Sequence, residues 1–136
     1  MVSEYVATLG VDLSFQGFDS ELQSLERMYA PPTGVLLLAW RETEAMGCIG
    51  VRAMTGDDCE MKRLYVRPAA RGSGLGRTLA NQAIGWARAH GYRRMCLDTL
   101  ASMSAARALY RELGFTIIEP YYKTPLAGTA FMALSL

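Results

Sequence analysis

Three glycines between a strand-like and a helix-like stretch constrain this chain more than any other feature. Met61 to Val66 supplies apolar, β-branched and aromatic residues, as a buried strand does. Pro68 ends it, because proline cannot donate to a sheet ladder. From Leu75 the period changes: Leu75, Leu79, Ala83 and Ala87 recur at helical spacing on one face. Gly72, Gly74 and Gly76 lie between, flanked by Arg71 and Arg77. Glycine lets a backbone turn tightly and approach a ligand closely. The first amides of the following helix have no internal partners and carry the positive end of the dipole. That combination binds phosphate.

The spacing narrows the phosphate ligand. A Walker loop needs four residues between its glycines and then Gly-Lys-Ser/Thr; here Gly72 is too close to Gly76, and Arg77 stands where lysine belongs. A dinucleotide fingerprint needs Gly-x-Gly-x-x-Gly; here the third glycine comes one residue early. Arg-x-x-Gly-x-Gly, at Arg71, Gly74 and Gly76, does fit. On local chemistry alone, a tight strand-to-helix turn with no ligand accounts for it equally well. The second informative stretch is Ala105-Ala106-Arg107-Ala108-Leu109-Tyr110-Arg111-Glu112-Leu113-Gly114-Phe115, an alanine-rich helix ending in Leu-Tyr-x-x-Leu-Gly-Phe.

The first motif resembles the pyrophosphate-binding loop of the GNAT superfamily of N-acetyltransferases. The second resembles that family's late helix at Ala106, Leu109, Tyr110, Leu113, Gly114 and Phe115. The order of the two motifs agrees as well. The resemblance runs from about Val35 to the C-terminus and is weaker before that.

At 136 residues the chain is expected to be one domain, 1–136. A net charge of +1 gives no electrostatic argument for nucleic acid or an acidic membrane surface. No apolar run reaches the ~20 residues of a membrane helix, and Met1-Val2-Ser3-Glu4 does not open a signal peptide. Cys48, Cys59 and Cys96 show no Cys-x-x-Cys spacing and read as small buried hydrophobes in a reducing compartment, so a cytoplasmic location is expected. No metal is expected: the eight methionines read as core filling. The single histidine, His90, belongs at a helix C-terminus, where a cation favours the dipole.

Val35 to Trp40, Met46 to Ala53 and Cys59 to Val66 read as an antiparallel meander. A helix from Leu75 to His90, capped by Gly91, leads to a strand over Arg94 to Leu100. A second helix, capped by Ser102 or Ser104, closes at Gly114, and strands follow over Phe115 to Ile118 and Thr129 to Leu134. The fold class is α+β. The resemblance implies a mixed sheet with helices on both faces, the meander being joined to a splayed central parallel pair that admits the acyl-donor arm. Val2, Tyr5, Val6 and Leu9 sit at helical spacing, and Asp19 caps a short helix through Met28. The chain is therefore expected to lack the family's usual first strand. That leaves Val35 to Trp40 as an apolar edge, to be covered by a second copy in a homodimer or by the first helix swinging across it.

The resemblance also implies the chemistry: transfer of an acetyl group from acetyl-CoA to a primary amine of a small-molecule acceptor by direct attack. The alternative is a non-catalytic acyl-CoA-binding or sensor module. An alkylamine with a pKa of ~10.4 must lose a proton before it attacks, the carbonyl oxygen needs a donor, and the departing sulfur needs a proton. On spacing alone Tyr110 is a core tyrosine; the resemblance makes it the general acid. Glu60 is the candidate base, placed by alternation on the face of Lys62, Leu64 and Val66; paired with Lys62 or Arg52 it would instead be a solvated carboxylate. Asp98 and water are the other candidates. Leu64, Tyr65 and Val66 should offer backbone groups to the pantetheine arm, with the Leu64 amide facing the carbonyl oxygen. Arg71, Gly72, Ser73, Gly74, Leu75, Gly76, Arg77 and Thr78 should hold the pyrophosphate. The resemblance puts the loop of Tyr121 and Tyr122 beside the acceptor site; on that proline-stiffened loop the two rings wall the acceptor pocket or, equally, cover the edge of the core. One position departs from the pattern: Met103 stands where many members place a donor-contacting asparagine, and Ser102 or Ser104 is the expected replacement.

Overall fold

The computed structural model describes residues 3–7, 33–100, 103–123 and 128–136. Its strands are β1 (Ser3–Ala7), β2 (Val35–Arg41), β3 (Glu44–Ala53), β4 (Asp58–Val66), β5 (Arg94–Thr99), β6 (Thr116–Ile118) and β7 (Ala130–Ser135), and its described helices are α1 (Leu75–Ala89) and α2 (Ser104–Glu112). They form one sheet in the order β1-β2-β3-β4-β5-β7-β6. β1 to β4 are antiparallel neighbours, β4 and β5 run parallel, and β7 lies antiparallel between β5 and β6. This is the expected α+β mixed sheet.

A strand buried on both faces reads as a continuous apolar run. β2 is such a strand: Val35, Leu37 and Ala39 join the core cluster shared with α1, and Leu36 and Leu38 on the other face are equally buried.

The expectation of helical turns at the N-terminus is corrected. Ser3–Ala7 is a strand, paired antiparallel with β2 from Ser3↔Trp40 to Ala7↔Leu36. Short apolar segments fit a strand or a helix by spacing alone. Tyr5 and Val6 suit a strand, and pairing gives the backbone groups of the β2 edge their partners. With that edge covered, the reason for expecting a homodimer there is removed. The helix expected over Asp19 to Met28 lies outside the described residues.

α1 buries Leu75, Leu79, Ala80, Ala83, Ile84 and Ala87. Gly47 allows its close approach to β3: a Cβ there would stand 2.8 Å from the Tyr65 carbonyl oxygen and 3.1 Å from Leu79 Cδ1. At the far end His90 stacks on Trp86 at a centroid distance of 4.0 Å, with Nδ1 2.8 Å from the Trp86 carbonyl oxygen. α2 starts after Met103 with no side-chain cap, so Ser104 is its first residue and not its cap; Ser102 lies outside the described residues.

Two irregularities in β4 position the site. First, β4 and β5 pair at Asp58↔Arg94, Cys59↔Met95 and Glu60↔Cys96 and then diverge, although β4 continues to Val66 and β5 to Thr99. An ion pair between Arg94 and Asp58, at 2.7 Å, closes the joined end. Second, Cys48 pairs with Tyr65 but Gly50 with Lys62, so β4 carries one extra residue there. Such a bulge shifts side chains between faces. Met61 lies in the core cluster, and past the bulge Leu64 and Val66 pack against the same cluster. Glu60 and Lys62 occupy the opposite face. Strict alternation had placed Glu60, Lys62, Leu64 and Val66 together; the bulge separates the first two from the last two.

Candidate active site

Pro68–Ala70 forms a short 3₁₀ turn after β4, and Gly74 caps α1 in the left-handed conformation, with φ at +85°. Gly72 is also left-handed, at +82°. The Ser73 amide and hydroxyl both donate to the Ala70 carbonyl, and the Thr78 hydroxyl donates to the Gly74 carbonyl at 3.0 Å. The amides of Gly72, Gly74, Leu75, Gly76 and Arg77 take no backbone partner among the described residues. No acidic side chain stands in the first turn of α1. A row of free amides at a helix N-terminus, with glycines keeping side chains out of the way, fits a pyrophosphate.

The two arginines differ. Arg71 Nε donates to the Val66 carbonyl at 3.0 Å, and its guanidinium lies 6.0 Å from the Tyr65 ring centroid, so it braces the strand-to-loop junction. Arg77 Nη2 meets Glu112 Oε1 at 2.6 Å, an exposed pair that ties α1 to α2. Both were expected to face the pyrophosphate; in the structure each has a protein partner.

The divergence of β4 and β5 leaves a cavity of about 180 Å³, bounded by Met61 and Leu64 on β4, Asp98 and Thr99 on β5, and Met103 and Tyr110 at α2. Tyr110 is buried, with its ring 5.7 Å from that of Phe115. Burial, reinforced by the Asp98 carboxylate, pushes its phenol up to about 12. It therefore keeps its proton at neutral pH and can donate it.

An open cleft of about 560 Å³ lies on the opposite face of β4, lined by Arg52, Glu60, Lys62, Tyr121 and Tyr122 among others. Glu60 is its buried floor. Arg52 donates to Oε1 through Nε at 2.9 Å and lies 2.8 Å away through Nη2, and the Tyr121 hydroxyl donates to Oε2 at 2.7 Å. Lys62 Nζ stands 3.6 Å from Glu60 and 3.5 Å from Asp98, and it lines both cavities. The Tyr122 hydroxyl donates to Asp98. Burial, followed by the hydrogen bond to Glu60, pushes the Tyr121 phenol upward; the hydrogen bond to Asp98 pushes Tyr122 up to about 12. Both rings pack on Phe131 at 5.0 Å.

The structure thus brings Glu60, Lys62, Asp98, Tyr121 and Tyr122 into one polar network and sets Tyr110 on the other side of the gap. Lys62 as the bridge had a partial signal in its alternation with Glu60. Its link to Asp98 had none, because that contact spans two strands. Thr99 carried no signal at all.

A seven-stranded sheet splayed at its one described parallel pair, with a free-amide loop at the mouth of the splay, defines an acyltransferase class. The chain belongs to the acetyltransferase (GNAT) family, whose model matches residues 5–115. It is 43% identical to an uncharacterised N-acetyltransferase of Schizosaccharomyces pombe, over all of this chain and 85% of that protein. It is 36% identical to an uncharacterised N-acetyltransferase of Escherichia coli, over 82% of this chain and 68% of that one. In fold it is similar to a GNAT family acetyltransferase from Elizabethkingia anophelis with acetyl-CoA bound, at a TM-score of 0.74 and 20% identity over 99% and 98% of the two chains.

Proposed function

We propose that the protein transfers an acetyl group from acetyl-CoA to a primary amine of a small-molecule acceptor. One juxtaposition carries this reading: Tyr110 and Asp98 line the same gap between the diverging strands, on the far side of β4 from an open cleft of small-molecule size. The amides of Gly72, Gly74, Leu75, Gly76 and Arg77 hold the pyrophosphate, and the edge of β4 beyond its pairing with β5, at Leu64, Tyr65 and Val66, receives the pantetheine arm as an added strand. Acetyl-CoA supplies the activated acyl group.

The acceptor enters over Tyr121 and Tyr122 and presents its nitrogen to the gap. Glu60 and Asp98 are the carboxylates within its reach. Both have protein partners, Arg52 and Tyr121 on Glu60 and Lys62 and Tyr122 on Asp98; what separates them is place, since Glu60 lines only the outer cleft of the two, whereas Asp98 borders the gap where attack takes place. Asp98 therefore takes the amine proton, and Glu60 holds the acceptor cleft in shape. The Leu64 amide donates to the carbonyl oxygen as charge builds there, and Tyr110 protonates the departing sulfur. The test is an acetyl-CoA turnover screen across classes of small amine. Turnover on at least one class is expected. CoA binding without turnover on any of them would assign the chain instead as a non-catalytic acyl-CoA-binding module.

A further inference from the structure

Thr99 ends β5 inside the gap. It is 3% exposed, and its Oγ1 is buried with no hydrogen-bond partner among the described residues. An unpaired buried hydroxyl is costly, and folded proteins rarely leave one without a reason. It borders the gap together with Asp98 and Tyr110. Across the same gap stands Met103, whose thioether cannot donate a hydrogen bond. Ser104 is exposed as the first residue of α2 and does not line the gap. At the gap, then, Thr99 offers a fully buried neutral donor and acceptor with no partner among the described residues.

We propose that the Thr99 hydroxyl is the side-chain anchor for the pantetheine arm, hydrogen-bonding the arm's amide next to the sulfur. The proposal rests on the acyl-donor reading above. A hydroxyl both donates and accepts, so it suits an amide presented edge-on along β4. Thr99 is a positioning residue. It fixes the arm so that the thioester faces Tyr110, and it takes no part in proton transfer.

The test is binding by titration calorimetry, together with thermal unfolding, on wild type, Thr99→Val and Thr99→Ser. The probes are acetyl-CoA, CoA and adenosine 3′,5′-bisphosphate, which has the phosphates but no arm. Thr99→Val should weaken acetyl-CoA and CoA alike, on the order of tenfold, because the arm's amide is left unpaired. The bisphosphate should bind as before, and Thr99→Ser should retain wild-type affinity. The ligand-free Thr99→Val chain should melt at the same temperature or higher, since the substitution removes an unpaired buried hydroxyl; a hydroxyl with a purely structural role would lower it. Unchanged CoA affinity, a loss confined to acetyl-CoA, or an equal loss for the bisphosphate overturns the proposal. A wild-type chain that binds none of the three probes overturns the acyl-donor reading and the proposal with it.

Discussion

The Tyr121 hydroxyl donates to Glu60 Oε2 at 2.7 Å, joining residues 61 positions apart. The bond fastens the loop after β6 to the middle of the sheet. A buried carboxylate that loses one donor retains most of its desolvation penalty. Tyr121→Phe should therefore lower unfolding stability by about 1–3 kcal/mol, measured by urea denaturation with an unchanged m value. A stability equal to wild type would mean the loop is held by the Phe131 contact alone.

Tyr110→Phe keeps the ring against Phe115 and removes the hydroxyl. If Tyr110 is the acid, kcat should fall ~10²–10⁴-fold with little change in CoA affinity. Turnover within a few-fold of wild type would reduce Tyr110 to a packing residue.

Asp98 and Glu60 can be separated by their variants. Asp98→Asn should lower kcat/KM ~10²–10⁴-fold, because the amine loses its proton acceptor. Glu60→Gln should chiefly raise the acceptor KM and lower stability, because Arg52 and Lys62 lose a charged partner. Steady-state kinetics on both variants decides the matter, and a larger kcat loss in Glu60→Gln would return the base to Glu60.

At the phosphate loop, a Cβ on Gly76 would meet Leu109 Cδ2 at 3.8 Å and Val66 Cγ2 at 3.9 Å, ordinary contact distances. Gly76→Ala should therefore fold normally, or with a slight gain from alanine's helix propensity. Gly74→Asp, which adds a charge at the helix N-terminus, should abolish binding. Wild-type affinity in a folded Gly74→Asp chain would remove the pyrophosphate assignment.

Tyr122 is 42% exposed at the rim of the outer cleft, with Lys62 Nζ 5.9 Å from its ring centroid. Tyr122→Ala should raise the acceptor KM more than the acetyl-CoA KM. The reverse pattern in bisubstrate kinetics would place the acceptor elsewhere.

Local chemistry was legible in the sequence. The apolar run of β2, the change of period at Leu75, the glycines of the loop and the Tyr110 motif are each written in a few consecutive residues, because helix, strand and turn preferences act over that range. Contacts between distant segments were not. Ser3–Ala7 is a strand because the edge of β2 needs a partner, and five residues cannot announce that by themselves. The extra residue before Tyr65 turned Leu64 and Val66 toward the helices and left Glu60 and Lys62 on the other face, a choice that alternation alone cannot reveal. Pairing across strands and loops gave Glu60 to Arg52 and Tyr121, and Arg77 to Glu112. The sequence by itself determined the elements, the phosphate loop and the acid candidate. The tertiary structure decided which carboxylate borders the gap and which hydroxyl is left without a partner, because both depend on where β4 and β5 part.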